Sequence, residues 1–306
     1  MGKITIIGSS NTDLIMQVDK TPGPGETIIG KKFSVTPGGK GANQAVAAAR
    51  SGGDVSFIGC IGKDVFGNLA IEKLDKDNID TSSIYRESDA PSGMALVYVD
   101  ADGENSISIA PGSNFELSPK NIDESLGTLS NTKIILTQLE IPIDTVEHAA
   151  QLAQERGITF ILDPAPAASL SDNLMGNVDI ITPNETEAEK LTGIALTNET
   201  NIRSACEKLH KQGVGTIIIT LGSRGAFLSN SDYCLLIPTY KVDPIDTTGA
   251  GDIFNGALAR AMSEYEDIRE AIKFANAAAA ISVTKLGAQA SAPKKSEIEA
   301  FLSKAD

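Results

Sequence analysis

The chain contains no tryptophan, two histidines and three cysteines. Cys60, Cys206 and Cys234 are odd in number and widely spaced, with no C-x-x-C pair, so a disulfide framework and a zinc knuckle are both excluded. Ordinary reduced cysteines of a cytoplasmic protein are expected. His148 and His210 lie in polar-patterned helical stretches and are expected at the surface. No apolar run is long enough to span a membrane. The start, Met1-Gly2-Lys3-Ile4-Thr5-Ile6, is strand-like, lacks the apolar core of a signal peptide, and breaks the myristoylation pattern at Ile6. Positive charge is also scarce: 26 Lys and Arg stand against 40 Asp and Glu, for a net charge of −14. Such a chain repels nucleic acid and anionic membranes, so neither is an expected partner. Any anionic ligand must be held by backbone N–H groups and local dipoles.

What is present is a 306-residue chain, 41 % hydrophobic, in which short apolar runs alternate with helical patterns. Ile4–Gly8, Val55–Ile61, Ile134–Leu139, Ile158–Leu162, Val178–Ile181 and Thr216–Thr220 read as strands. Asn43–Arg50, Gly67–Lys76, Asp144–Arg156, Thr186–Leu191, Asn201–Gln212, Asp252–Met262, Asp267–Thr284 and Lys295–Lys304 read as helices. This alternation predicts βαβ units and a largely parallel sheet covered on both faces, an α/β fold. Two stretches differ. Thr21–Thr36 is rich in Gly, Pro and β-branched residues, and Met94–Asp100 and Ser106–Ala110 flank the turn signal Ala101-Asp102-Gly103. Both predict antiparallel strands outside the main sheet, forming a lid over one end.

The strongest local signal is Asp246-Thr247-Thr248-Gly249-Ala250-Gly251-Asp252, which runs into a helical pattern. Small residues at a helix start leave N–H groups uncovered, and with the positive dipole end they make an anion site. Asp252, in the first turn, is placed to accept a proton from a hydroxyl attacking a bound phosphate. Other phosphate-binding patterns fail. A Walker A loop is broken by Gly41 after Lys40, and a dinucleotide fingerprint from Gly249 would need glycine where Phe254 stands.

Residues Asp246–Asp252 resemble the C-terminal signature of the ribokinase-like (PfkB) carbohydrate kinases. Pro37-Gly38-Gly39-Lys40-Gly41-Ala42-Asn43-Gln44-Ala45 resembles the family's other signature. The resemblance extends from Gly8 to Ser291. It implies a three-layer sandwich, mostly parallel with helices on both faces, as one domain over residues 1–306 with lid strands around 14–36 and 92–112. It also implies transfer of the ATP γ-phosphoryl group to a sugar hydroxyl, O5 of D-ribose, with Asp252 as base and Gly249, Ala250 and Gly251 forming an anion hole.

On the sugar side the resemblance assigns Asn11, Thr12, Asp13, Gly39, Lys40, Gly41, Ala42, Asn43, Glu140 and Asp252. Taken singly, Asn11 and Asp13 also fit turn formers, Asn43 a helix cap, and Glu140 a solvated strand end. On the nucleotide side it assigns Asn184, Glu187, Thr220, Leu221, Gly222, Ser223, Arg224, Gly225, Gly251, Asp252 and Asn276, with Glu187 near magnesium through water. Asn184-x-x-Glu187 also fits a helix capping box, and both roles are compatible. A potassium site is implied at Asp246, Thr248, Ser282, Lys285, Gly287 and Ser291, mostly through backbone carbonyls. A homodimer through the lid is expected, because exposed strand edges need cover.

Lys40 is the only cation in the sugar set, which favours an unphosphorylated sugar. The nearest rivals are deoxyribose, fructose, adenosine and pseudouridine; few aromatics disfavour a nucleoside. A non-catalytic sugar- or nucleotide-binding regulator is the rival of another class, and the missing glycine fingerprint disfavours a nicotinamide dehydrogenase.

Overall fold

A computed structural model of the chain describes residues 2–87, 89–102 and 104–305. Its strands are β1 (Lys3–Ile7), β2 (Asn11–Gln17), β3 (Lys32–Gly38), β4 (Val55–Gly62), β5 (Asp80–Glu87), β6 (Gly93–Val99), β7 (Asn105–Ala110), β8 (Thr132–Thr137), β9 (Thr159–Leu162), β10 (Ile180–Ile181), β11 (Thr216–Thr220), β12 (Ala226–Ser229) and β13 (Cys234–Ile237). Nine form one sheet, ordered β13-β12-β11-β10-β9-β8-β1-β4-β5; four form a second, ordered β3-β2-β6-β7. The large sheet is parallel from β5 to β11, and only β12 and β13 run antiparallel at its edge. The predicted α/β architecture is therefore observed.

The strands of a doubly covered sheet bury both faces, so they read as unbroken apolar runs. All eight residues of β4 are buried. Alternate side chains supply two cores. Ile4, Ile6, Phe57, Ile134 and Leu136 pack with helices Lys40–Arg50, Ala250–Met262 and Ile268–Ser282. Ile7, Ile58, Ile135 and Phe160 pack with helices Ile143–Arg156 and Glu199–Lys211 on the other face. Helix ends follow their caps. The Ile143–Arg156 helix stops at Gly157 in the left-handed conformation, and the Glu185–Thr192 helix opens on the Asn184/Glu187 capping box.

Several boundaries differ from expectation. Of Thr21–Thr36 only the part from Lys32 is strand, since Pro22 and Pro24 have no N–H to give a ladder. The small sheet takes its other early strand from residues 11–17 instead. β6 and β7 pair antiparallel as predicted, while Gly103 of the turn signal lies outside the described residues. β5 and β13 carried no clear strand signal, being an edge strand rich in polar residues and a four-residue strand. His210 is not a free surface residue: its ring bonds Val214 O and Ser229 Oγ, and half-buried His148 pairs with Asp123. Among the described residues no helix is long and apolar enough to cross a membrane.

Candidate active site

β1 ends at Ile7, and Gly8–Ser10 carries the chain from the large sheet into β2 of the small one. Asn11 and Asp13 alternate onto one face of β2, opposite Gly38 and Thr36 of β3. Asn114 fixes the first of them. Its Oδ1 accepts from Ser10 N at 2.9 Å, so its Nδ2 donates to Asn11 Oδ1 at 2.7 Å. Asn11 is left presenting its own amide N–H₂ as a donor. Glu140 is held by Ser9 Oγ at 2.5 Å and by Lys40 N at 3.0 Å, both to Oε2. Gly39, with φ 86°, turns the chain from β3 into the Lys40–Arg50 helix; a Cβ there would lie 2.6 Å from Asn11 N.

Asp252 stands in the first turn of the Ala250–Met262 helix and is only 6 % exposed. Two neighbouring amides hold it: Asn43 Nδ2 bonds Oδ2 at 2.9 Å, and Gln44 Nε2 bonds Oδ1 at 3.1 Å. Gln44 Nε2 also bonds Oδ2 of Asp163 at 2.7 Å. Because Asn43 gives its amine to Asp252, its Oδ1 is left buried without a partner, an acceptor available to a ligand hydroxyl. The sequence signatures thus converge on one carboxylate.

The charges here are coupled. Burial raises the Asp13 carboxyl to about 6, helped by the negative charges of Glu140 and Asp252. Burial likewise raises buried Asp163 to about 8; Lys40 opposes this, while Asp252 and Glu187 add to it. For Lys40 burial works against the charge, but Asp252, Asp163, Glu140 and Glu187 together outweigh it and hold the ammonium above its usual range.

On the far side of Asp252 lies a cavity of about 720 Å³ lined by Asn184, Thr220, Gly222, Ser223, Gly225, Gly251 and Asn276, all predicted. Asn184 Oδ1 accepts from Glu187 N, and Glu187 Oε2 accepts from Asn184 N. The cap is therefore real, and the Asn184 Nδ2 remains a donor. Asn276 Nδ2 bonds the carbonyls of Ile237 and Pro238, so it braces the wall formed by Thr239–Pro244.

Some predicted residues do not point inward. Thr12 alternates to the face of β2 away from Asn11 and Asp13, and Ala42 packs into the core. Leu221 is core as well, and Arg224, which does not line the cavity, pairs with Glu185, which does. Of the predicted anion-hole donors, Ala250 N already bonds Thr247 O at 3.2 Å, which leaves Gly249 and Gly251.

Asp246 gathers two loops. Its Oδ1 accepts from Thr248 N and its Oδ2 from Gly287 N, while Ile245 and Asp246 N–H both bond Val283 O. Burial opposes the Asp246 charge, yet these hydrogen bonds hold its carboxyl below the usual range. This ionised carboxylate among carbonyls is a hard oxygen set that fits an alkali cation. Ser282 O accepts from Lys285 N and Ser291 Oγ bonds Ala288 O; the Lys285 ammonium pairs with Glu297, so only its carbonyl is available. Among the described residues no cluster of three or more His, Cys, Asp or Glu is arranged to cage a metal. Magnesium, which prefers phosphate oxygens and water, needs no such cage, and Glu187 fits it as an outer carboxylate.

Sequence reasoning missed Ser9, Asn114, Gln138 and Asp163, buried partners without a local pattern, and the Thr239–Pro244 wall. Gln44 stood within the quoted signature without a role.

The chain is 45 % identical to the ribokinase of Haemophilus influenzae over 299 residues, covering 98 % of each. It is 38 % identical to the deoxyribokinase of Salmonella typhi over 301 residues, again 98 % of each. The structure of Arabidopsis thaliana ribokinase complexed with ribose and ATP superposes with a TM-score of 0.93 at 33 % identity, covering 98 % of both chains. A family model described as pfkB family carbohydrate kinase matches residues 1–295. With two signature segments meeting at Asp252 and a match over nearly the whole length, the chain belongs to the pfkB family of carbohydrate kinases.

Proposed function

We propose that this enzyme transfers the γ-phosphoryl group of ATP to O5 of D-ribose, giving D-ribose 5-phosphate. The observation that carries the reading is the position of Asp252. Its carboxylate is bonded by Asn43 from the sugar side, and the preceding Gly251 lines the large cavity. A hydroxyl held between Asn11, Asp13 and Asn43 would lie within reach of that carboxylate, with a phosphate over the helix start.

Asp252 accepts the hydroxyl proton as the oxygen attacks phosphorus. The transition state is loose, so positioning and charge neutralisation carry most of the catalysis. The N–H groups of Gly249 and Gly251 and the helix dipole face the transferred group. Lys40 supplies the cation of this carboxylate cluster. On the sugar, Asn11 donates while Asp13, Glu140 and Asn43 Oδ1 accept. Asn184 Nδ2 and the Thr220–Gly225 turn contact ATP phosphates, and Asn276 keeps the nucleoside wall in place. Magnesium, when bound to ATP, offsets phosphate charge; Glu187 would hold it through water. A potassium ion held by Asp246 and the carbonyls of Ser282, Lys285 and Gly287 would keep the loop before Gly249 ordered.

The small sheet acts as the lid, since it carries Asn11 and Asp13 and excludes water from the transfer. Its edge strands expose apolar side chains, with Phe33 56 % and Ile107 55 % exposed, which suits a homodimer through the lid. Dependence on ATP suits a cytoplasmic enzyme.

The test is ADP release measured with ribose, 2-deoxyribose, fructose, adenosine and pseudouridine, in potassium and then in sodium. Ribose is expected to give the highest kcat/KM, with potassium raising the rate. A higher kcat/KM for any other sugar overturns the substrate assignment. No sugar-dependent ADP release would make the protein a binding regulator.

A further inference from the structure

Gln44 and Gln138 are both fully buried, at 0 % exposure. Gln44 spends both N–H bonds on carboxylates, Asp163 Oδ2 at 2.7 Å and Asp252 Oδ1 at 3.1 Å. Its carbonyl accepts from Gln138 Nε2 at 2.5 Å. This orientation has one solution. Turned over, Gln44 Oε1 would face the Asp252 carboxylate, which as the proposed base has no proton to give. The Gln138 amide is then fixed too, because its own carbonyl would otherwise meet Gln44 Oε1.

Gln138 shows that this arrangement is more than packing. Its Oε1 is buried with no partner, and a Cβ on Gly8 would lie only 2.2 Å from that oxygen. An apolar side chain of similar shape would fill this space without burying an unpaired oxygen. What such a side chain could not supply is the N–H that braces Gln44.

We infer that Gln44, braced by Gln138, is the positioning residue that fixes the rotation of the Asp252 carboxylate. Asn43 holds Oδ2 and Gln44 holds Oδ1, from adjacent positions on one helix, so the carboxylate plane cannot turn. Gln44 has no donor left for a substrate, which separates its role from binding. The inference rests on Asp252 as the acceptor of the hydroxyl proton.

Gln44→Met and Gln138→Met keep the length of the side chain and remove the amide. The two variants and their double are compared by kcat, by KM for ribose and ATP, and by thermal melting. Gln44→Met is expected to lower kcat about 10- to 100-fold, with each KM within about threefold. Gln138→Met is expected to lower kcat by about 3- to 10-fold, and the double to match Gln44→Met, because Gln138 acts through Gln44. A folded Gln44→Met with kcat within about twofold of the parent, a loss confined to KM for ribose, or losses that multiply in the double would each overturn the inference. Should Gln44→Met not fold, Gln138→Met decides alone: an unchanged kcat overturns the inference. Failure of the Asp252 reading is distinguishable, because an Asp252→Asn enzyme of normal kcat would remove that reading whatever the glutamine variants do.

Discussion

Asn43 Nδ2 donates to Asp252 Oδ2 over 2.9 Å, joining positions 209 apart in the sequence. Each residue belongs to a different signature segment, and each stands in the first turn of its helix. The two helices touch closely, since a Cβ on Gly256 would lie 2.4 Å from Gln44 O. The carboxylate is therefore located by helix packing as well as by its own hydrogen bonds.

Asp252→Asn tests the base. The introduced amide must turn its N–H₂ towards either Asn43 or Gln44, both donors, at a cost of about 1–3 kcal/mol. The fold should survive with a lower melting temperature, while kcat falls by about 10²- to 10⁴-fold. A near-normal kcat would remove Asp252 from the mechanism.

Asn114→Asp inverts a donor. The introduced carboxylate still accepts from Ser10 N, but its second oxygen meets Asn11 Oδ1. Asn11 must then turn over and present oxygen to the sugar. KM for ribose should rise about tenfold, corresponding to one lost hydrogen bond, with kcat less affected. Unchanged steady-state constants would show that Asn11 does not donate to the sugar.

Asp13 is expected to make sugar binding pH-dependent. Its carboxyl is raised to about 6, so it takes up a proton as pH falls through that value and ceases to accept a hydroxyl. kcat/KM for ribose should fall below about pH 6, and Asp13→Asn should bind weakly and lack this acidic limb. The free protein should show the converse. Between the ordinary carboxylate value and about 6 the folded state holds more protons than the unfolded, so stability declines as pH rises through that window.

Asp163 extends the window. With its carboxyl raised to about 8, the fold keeps this proton while the unfolded chain loses it, so stability falls progressively as pH rises to that value. Asp163→Asn keeps an oxygen for Gln44 and removes the charge. Its melting temperature should exceed the parent's by an amount that grows from about pH 4 to pH 8, reaching roughly 2–6 °C. A difference that does not vary with pH would show that Asp163 is not buried as an acid.

Phe33→Glu and Ile107→Glu place charge on the two edge strands of the small sheet. Light scattering should find a dimeric parent and a monomer for one or both variants. A monomeric parent refutes the dimer.

The legible parts of the site were those with a local cause. Gly249–Asp252 and Gly39–Asn43 are small or polar residues at helix starts, a pattern that sequence carries directly. Asn114, Gln138 and Asp163 were silent because a buried polar residue declares itself only through the partner that packing brings to it. Asn184 was legible as a cap, and the same helix start puts it on the cavity wall, where the proposed phosphate contact needs it. The anion hole was read too generously: Ala250 N–H looks free in sequence, yet the tight turn at Thr247 consumes it. Strands were clear where both faces are buried, as in β4, or where alternation flanks a turn signal, as in β6 and β7, and unclear in the polar edge strand β5.

The distance in sequence between Asn43 and Asp252 also bears on how the enzyme is made. A ribosome delivers Asn43 and Gln44 long before Asp252, and the helix they stand on packs against the one that Asp252 opens. A nascent chain that reaches Glu140 holds Asn11, Asp13, Asn43 and Glu140, the proposed sugar contacts, and no base. The ability to split ATP therefore arises only near the end of synthesis, after the residues that direct it towards sugar are in place.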